Sequence, residues 1–485
     1  MMNLRQLLFI VVTLLVASLG QSVADPRPEG KRLGNASVQA TPPEIASTPS
    51  SRLPIIFLPG VAGSQLFNNP PYVPLVSTQL WPVSLFGQRP LLGLTTEGKS
   101  VFGANIFVGD ILRAGSARFS TLSDTDAYGS VIEFFKARGY EENTDLFTFP
   151  YDWRQDNKTH FDALDGKITV AKARTGKEKV ILVGHSMGGL IMRAYVLSKP
   201  ARAATVDTLI TMATPYWGSP KVYYAMIKGY TFGNKTVDPE MMKILFQNWP
   251  AAYQLLPRER FIVDMRKTRE LCPPNRIPIT CPPQRLTPPE SYVIRYKGFK
   301  GTDDDRVLYT ETVDNVWTLN RDLVKLAADF HESAGTKENP KLPTGVKLYV
   351  IIGHGISTLR GYALRDWEPG LLDRFIGGSY LELETGRKVT MDPYFDDGDG
   401  TVPLWGLEIS GATATYYVPT KGGEGDFYAG HGSLPKNKTV QAIVGQILDS
   451  LTNLDNKPKP PDPSRFPKTS PSLIWEESPD DFRLK

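Results

Sequence analysis

The sequence predicts an α/β protein, a mostly parallel sheet with helices on both faces, and three observations carry that prediction. Short apolar runs rich in β-branched residues alternate with helix-compatible stretches over residues 53–213. That strand–helix rhythm places helices over both faces of a parallel sheet. One run, Val180-Ile181-Leu182-Val183, ends at Gly184-His185-Ser186-Met187-Gly188 and passes into a helix-compatible segment from Leu190 to Ser198. Strand, sharp turn and helix in that order are the setting of a nucleophile elbow, where a strained serine tolerates only very small neighbours. The third observation is that the alternation is lost after Ser219 and resumes at Lys347. A chain of 485 residues exceeds the size at which single cores stop growing, so one large core with an inserted subdomain is expected.

The N-terminus stands apart from this core. Arg5, the apolar stretch Leu7 to Leu19 and the small residues Ser22-Val23-Ala24 read as a secretory signal peptide over residues 1–24, with an uncleaved anchor as the alternative. No other stretch approaches the roughly 20 apolar residues that span a bilayer. A soluble product is therefore expected, secreted or lumenal in an extracellular, periplasmic or lysosomal/vacuolar compartment. Residues 25–52 are Pro, Ser, Ala and Thr without an apolar period, a disordered linker.

The first part of the core should run over residues 53–215. Leu53 to Leu58 reads as a buried strand stopped by Pro59-Gly60, and Val61 to Leu66 as a tight loop. Residues 67–115 are rich in aromatics, Pro, Gly and Leu. Leu80-Trp81-Pro82-Val83-Ser84-Leu85-Phe86 and Leu91-Leu92-Gly93-Leu94 either pad the core or form an apolar lid for membrane contact. Tyr128 to Arg138 has helical spacing, Leu146 to Phe149 is a short strand, and Phe161 to Arg174 is a helix. Val206 to Ala213 is the strand after the elbow helix. Residues 216–345 read as a cap subdomain. In the second part of the core, residues 346–455, Lys347 to Ile352 and Ala414 to Val418 are strands and Val440 to Leu451 is a closing amphipathic helix. The Pro- and Lys-rich tail over 456–485 is expected to be disordered.

Composition excludes several functions. A formal net charge of +4 spread over this length leaves no nucleic-acid footprint. Cys272 and Cys281 are the only cysteines; in an exported chain they are expected to close a short disulfide loop, with two free thiols as the alternative. No histidine lies near them in sequence, so no metal site is expected, and nothing implies a cofactor. Asn-x-Ser/Thr sequons at Asn35, Asn157, Asn234 and Asn437 predict glycans only in a glycosylating host. Oligomeric state is not encoded in any pattern.

A serine hydroxyl needs a histidine to take its proton and an acid to orient that histidine. On folds carrying such an elbow they follow in the order serine, acid, histidine. Of the five histidines, His160 precedes Ser186, His185 is its neighbour and should point away, His331 lies in the cap, and His354 precedes the acidic loop. His431, in Gly430-His431-Gly432 just before the last helix, remains. The acid is sought in Asp396-Asp397-Gly398-Asp399-Gly400-Thr401-Val402-Pro403, read as a loop. Asp399 is preferred to Asp397 or Asp396, and a calcium-type turn is the bland alternative for Asp-x-Asp-Gly. The oxyanion hole should take the backbone N–H of Met187 and one from the loop after the first strand, most plausibly Val61.

Together these motifs resemble the lecithin:cholesterol acyltransferase family, with its lysosomal phospholipase A and phospholipid:diacylglycerol acyltransferase members. The matching pieces are Leu58-Pro59-Gly60 with Ser64-Gln65-Leu66, Pro150-Tyr151-Asp152-Trp153-Arg154, Gly184 to Gly188, Gly398-Asp399-Gly400-Thr401-Val402, and His431. The resemblance implies an α/β-hydrolase core with a cap and a small membrane-contact region, selects Asp399 as the acid, and maps oxyanion donors onto Val61 and Met187. It implies a serine-dependent acyl hydrolase or O-acyltransferase acting on glycerophospholipid esters at a lipid surface, with water or a lipid alcohol as acceptor. Members of the animal branch close an N-terminal lid with a disulfide, and no cysteine lies there in this chain, so sterol and lipoprotein handling is not supported. A secreted carboxylesterase or neutral-lipid lipase is the alternative, and a non-catalytic lipid carrier a remote one.

Overall fold

The computed structural model of the protein describes residues 52–69, 77–82, 89–114, 116, 126–230, 238–258, 262–264, 320–335, 341–366, 381–382, 388–419, 430–451, 459–466 and 468. By its contacts the chain divides into Met1–Ala46 and Ser47–Lys485, and every described residue lies in the second unit. The expected signal peptide, all of the expected linker but Arg52, both cysteines, and the sequons at Asn35 and Asn234 lie outside the described residues.

Thirteen strands and ten α-helices are described. The strands are β1 (Ile55–Leu58), β2 (Ser64–Asn68), β3 (Thr78–Trp81), β4 (Ile106–Ile111), β5 (Leu146–Thr148), β6 (Val180–His185), β7 (Val206–Met212), β8 (Ile262–Asp264), β9 (Lys347–His354), β10 (Ile356–Asp366), β11 (Leu381–Glu382), β12 (Lys388–Gly398) and β13 (Ala414–Pro419). The helices are α1 (Gly129–Ala137), α2 (Phe161–Thr175), α3 (Met187–Ser198), α4 (Pro200–Ala204), α5 (Pro220–Lys228), α6 (Pro239–Phe246), α7 (Pro250–Gln254), α8 (Arg321–Ser333), α9 (Leu404–Leu407) and α10 (Lys438–Ser450).

Six strands form the central sheet in the order β13-β9-β7-β6-β1-β5, every neighbouring pair parallel. Ile55 to Leu58 and Val180 to Val183 are buried on both faces. That explains their unbroken apolar sequence, because a parallel sheet is covered on both sides. All six strands end at one edge of the sheet. The loops leaving β1, β6 and β9 therefore converge there, where open parallel sheets place their ligands. With helices packed about it, this is an α/β-hydrolase fold with additional inserted segments.

Two smaller sheets were not foreseen. β3-β2-β4 is antiparallel and stands on the loop after β1; β11-β12-β10-β8 is built from β10 to β12, which follow the core strand β9, with β8 from earlier in the chain added parallel to β10. Asp396 and Asp397 consequently lie on β12, paired with Thr358 and Ser357, and not in a loop. Leu80, Trp81, Leu92 and Leu94 are buried in the main core, so these apolar groups pad the interior. Among the described residues of this region, the exposed large apolar side chains are Phe102 and Phe107, with Phe107 stacked on Phe67.

Both chain ends of the described unit are tied down. Arg52 donates to the carbonyls of Arg138 and Gly139 and lies 4.5 Å above the Tyr140 ring. In the tail, expected to be disordered throughout, residues 459–466 lie along the outer edge of β13. Tyr417 N–H donates to Phe466 O (3.1 Å) and the Tyr416 hydroxyl to Pro461 O (3.0 Å). The physical reason is that β13 is an edge strand with unpaired backbone groups, and the tail satisfies one of them.

The block Pro150 to Arg154, after β5, locks the loops around the site. Trp153 Nε1 donates to Ser64 O (3.0 Å), Tyr151 N–H to Ser64 Oγ (3.1 Å), and the Tyr151 hydroxyl to Pro59 O (2.7 Å). Arg154 has no solvent exposure, and its guanidinium pairs twice with Asp152, at 2.8 and 2.7 Å, and reaches Leu92 O. Removing one partner of a buried ion pair leaves the other charge uncompensated, at about 3–5 kcal/mol. Asp152→Asn should therefore lower unfolding free energy by about 3 kcal/mol in urea titrations. A loss below about 1 kcal/mol would show that the pair is not what holds this block.

Candidate active site

β6 delivers Ser186 to the end of the sheet, and α3 begins immediately after it. Ser186 has φ 52° and ψ −125°, a left-handed conformation that non-glycine residues avoid at a cost of order 1–3 kcal/mol. The strain is held by bonds on both sides of the residue. Its N–H donates to Met212 O (2.8 Å), and its carbonyl accepts from the Thr214 hydroxyl (3.1 Å). Gly188 explains the small neighbour: a Cβ there would stand 2.5 Å from Pro59 O and 2.6 Å from Leu58 O. The first turn of α3 thus lies against the end of β1.

The structure brings together the three side chains the sequence selected. Ser186 Oγ is 2.8 Å from His431 Nε2, and His431 Nδ1 is 2.7 Å from Asp399 Oδ2. Asp399 is fully buried, and its other oxygen accepts from the N–H groups of Thr401 (3.0 Å) and Val402 (2.7 Å). Its backbone carbonyl also accepts from His431 N–H (2.8 Å). A carboxylate only accepts, so Nδ1 of His431 carries the proton, and Nε2 of the neutral ring accepts from the serine hydroxyl.

The rival acids face elsewhere. Asp397 Oδ1 accepts from Gly355 N–H (2.5 Å) with His354 3.6 Å from its other oxygen, and Asp396 lies 3.9 Å from Arg360. Among the described residues no group of three or more acidic, His or Cys side chains could hold a metal ion, and no helix is long and apolar enough to cross a membrane.

The expected oxyanion donors flank the serine. Met187 is the first residue of α3, so its N–H has no acceptor within the helix. On the other side, a Cβ on Gly60 would stand 2.9 Å from Ser186 Cβ and 3.4 Å from its Oγ, which places the Gly60–Val61 backbone against the serine. Gly63 N–H closes this turn on Gly60 O (3.1 Å), Ala62 takes φ 58°, and Trp81 Nε1 holds Ala62 O (2.6 Å).

Sequence reasoning missed Tyr128 and Thr214 and misjudged His185 as merely turned away. The His185 ring lies beneath the site, with its centroid 5.1 Å from that of His431. Its Nε2 is 2.8 Å from His431 O and its Nδ1 is 3.0 Å from the Tyr128 hydroxyl. Nothing local marks these contacts, since Tyr128 and His185 are 57 residues apart. The other predicted positions meet different fates. His160 packs on Tyr151, and His331 lies on α8. The sequon asparagines Asn157 and Asn437 are both buried, Asn437 capping α10 through Val440 N–H.

Residues 118–412 match the lecithin:cholesterol acyltransferase family. Among solved structures, the Tle4–Tli4 complex aligns with a TM-score of 0.49 at 16% identity, covering 83% of this chain and 99% of that one. Two Arabidopsis thaliana proteins are similar in sequence. "Phospholipase A(1) LCAT3" is 35% identical over 352 residues, 67% of this chain and 71% of that protein. "Lecithin-cholesterol acyltransferase-like 4" is 23% identical over 303 residues, 59% of this chain and 53% of that protein. The family match and the first of these relatives show that the chain belongs to the lecithin:cholesterol acyltransferase family.

His185 gives the site a pH signature. Burial, and secondarily the neighbouring His431, push its pKa down from 6.5 to about 3. The unfolded chain binds this proton more readily than the folded one. The contribution to stability is therefore complete above pH 6.5 and is lost as pH falls toward 3, at up to about 1.4 kcal/mol per pH unit. His160, its pKa also lowered by burial, acts in the same direction. Urea midpoints between pH 4 and 7 should fall less steeply for His185→Asn than for wild type. Equal slopes would rule out His185 as the source.

Proposed function

We propose that this member of the lecithin:cholesterol acyltransferase family is a serine-dependent lipid acyl hydrolase or O-acyltransferase. Its proposed substrates are glycerophospholipid acyl esters, met at a lipid surface. The observation that carries the reading is the unbroken hydrogen-bond chain from Ser186 through His431 to Asp399, set at an elbow of positive φ. The name of the Arabidopsis relative, a phospholipase A(1), supports the phospholipid as substrate.

In the proposed reaction, His431 Nε2 takes the Ser186 hydroxyl proton as Oγ bonds to the ester carbonyl carbon. The π electrons move onto the carbonyl oxygen, which the N–H groups of Val61 and Met187 receive. Collapse of this intermediate breaks the bond to the lysolipid oxygen, which leaves with the proton from His431. Water or a lipid alcohol then gives its proton to His431 and attacks the acyl-Ser186 carbonyl. Return of that proton to Oγ regenerates the serine and releases a fatty acid or a new ester.

The remaining parts of the reading follow from position. Residues 216–345 are proposed as a cap over the strand ends, and residues 67–115 as the lipid-contact region, with Phe102 and Phe107 exposed there. The apolar N-terminal segment with its small-residue end supports export as a secreted or lumenal enzyme.

Two measurements test the proposal. Asp399→Asn should retain fold and lower kcat on a soluble ester on the order of 10⁴-fold, because the imidazole loses its tautomer and orientation. A loss under tenfold would remove Asp399 from the site. Product mass spectrometry on phosphatidylcholine vesicles containing a sterol and diacylglycerol tests the substrate. Lysolipid with fatty acid marks a phospholipase, and a sterol ester or triacylglycerol an acyltransferase, each absent with Ser186→Ala. Activity confined to neutral or soluble esters would replace the phospholipid reading with that of a lipase or carboxylesterase.

A further inference from the structure

Tyr128 lies outside the reacting chain of groups but at the point where three of its supports meet. The residue is buried just before α1, its ring packed against Phe57 with centroids 5.2 Å apart. Its hydroxyl is 2.8 Å from Gly60 N and 3.0 Å from His185 Nδ1.

The proton positions follow from the partners. The carbonyl of His431 only accepts, so His185 Nε2, 2.8 Å away, donates to it. Nδ1 of the neutral ring is then the acceptor, and the Tyr128 hydroxyl donates to it. The phenol oxygen in turn accepts from Gly60 N–H. This single hydroxyl joins the loop after β1, the residue before the serine and, through His185, the backbone of His431.

The same bonds fix a direction. Gly60 N–H is held by Tyr128, and Gly60 O accepts from Gly63 N–H at 3.1 Å. In a planar trans peptide the C=O and the following N–H point opposite ways, so anchoring Gly60 at both groups sets the aim of Val61 N–H. Among the described residues that N–H has no partner of its own.

We infer that Tyr128 is a positioning residue for the oxyanion hole: its hydroxyl holds the Pro59–Gly60 peptide at Gly60 N–H and, with Gly63 N–H on Gly60 O, aims the next peptide so that Val61 N–H meets the developing oxyanion. Through His185 it fixes that peptide relative to His431. The inference rests on the proposed roles of Ser186 and Val61. Burial supports it, raising the Tyr128 pKa and lowering that of His185 to about 3. Both groups are therefore fixed neutral dipoles over the working pH range, which need no reorganisation as charge develops.

The test uses Tyr128→Phe, which keeps the ring and removes only the hydroxyl, with a p-nitrophenyl ester and its thiono analogue as paired substrates. Sulfur is a weak hydrogen-bond acceptor, so the thiono ester draws little help from an oxyanion hole. For the variant, kcat on the oxygen ester should fall about 10–100-fold with KM within about twofold, and kcat on the thiono ester less than about threefold. The ratio of the two rates is a property of active molecules alone, so partial unfolding of the variant leaves it unchanged. Equal losses on both substrates, or no loss on either, would overturn the inference. Hydrolysis of the oxygen ester by Ser186→Ala at the wild-type rate would instead remove the serine reading, and the inference with it.

Discussion

The conformation of Ser186 is the constraint on which the rest of the site depends. A side chain at φ 52° stands clear of strand and helix, and it is stable only where the surroundings over-determine it. Three parts of the core do this. β7 supplies Met212 O to the serine N–H, Thr214 holds the serine carbonyl, and the close approach of Gly188 to Leu58 and Pro59 presses α3 onto β1. Strain of order 1–3 kcal/mol is small beside the burial of a six-stranded sheet, so the core, through these contacts, holds the turn.

Around that turn, two adjacent imidazoles are kept in opposite tautomers by their partners. His185 faces a carbonyl and a phenol, neither of which carries charge, and burial holds it neutral. His431 faces a buried carboxylate on one nitrogen and a hydroxyl on the other, the arrangement in which a ring accepts a proton and is stabilised while it carries one. A second positive charge beside it would oppose that step. The neutral His185 avoids this, while its Nε2–H fixes the backbone from which His431 projects.

What was legible in the sequence follows from how local each signal is. β1 and the start of β6 announce themselves because burial on both faces demands unbroken apolar residues. His431 emerged because the chain has few histidines and chain order eliminates the others. Asp399 and Asp397 were harder to separate, since the difference is one of direction: β12 ends at Gly398, Asp397 turns toward Gly355, and Asp399 turns toward His431. The start of the acidic stretch, Asp396 to Gly398, reads as loop because acids and glycine oppose strand propensity, yet it is the end of β12. Its pairing with β10 from Ser357↔Asp397 to Asp366↔Val389 overrides that preference. Leu80, Trp81 and Leu92 carry no period, and only tertiary contacts bury them. The Tyr128 bonds join segments far apart in the chain, so no window of sequence contains them.

The segment that leaves β7 is joined to the turn that carries the acid. Trp217 N–H donates to Gly406 O (3.0 Å), Trp217 Nε1 to Glu408 O (2.6 Å), Ser219 Oγ to Thr401 O (2.5 Å), and Lys221 Nζ to Gly400 O (3.2 Å). Residues 399–408 and the start of α5 therefore form one hydrogen-bonded block. The proposed chemistry treats water and a lipid alcohol alike, since His431 deprotonates either along the same line to the acyl-serine carbonyl. Discrimination between them must then come from which one is admitted. The segment beyond β7 is tied at Thr214 to the Ser186 carbonyl and, from Trp217 to Lys221, to the turn that carries the acid. One stretch of chain, residues 214–221, thus braces both the nucleophile and the acid.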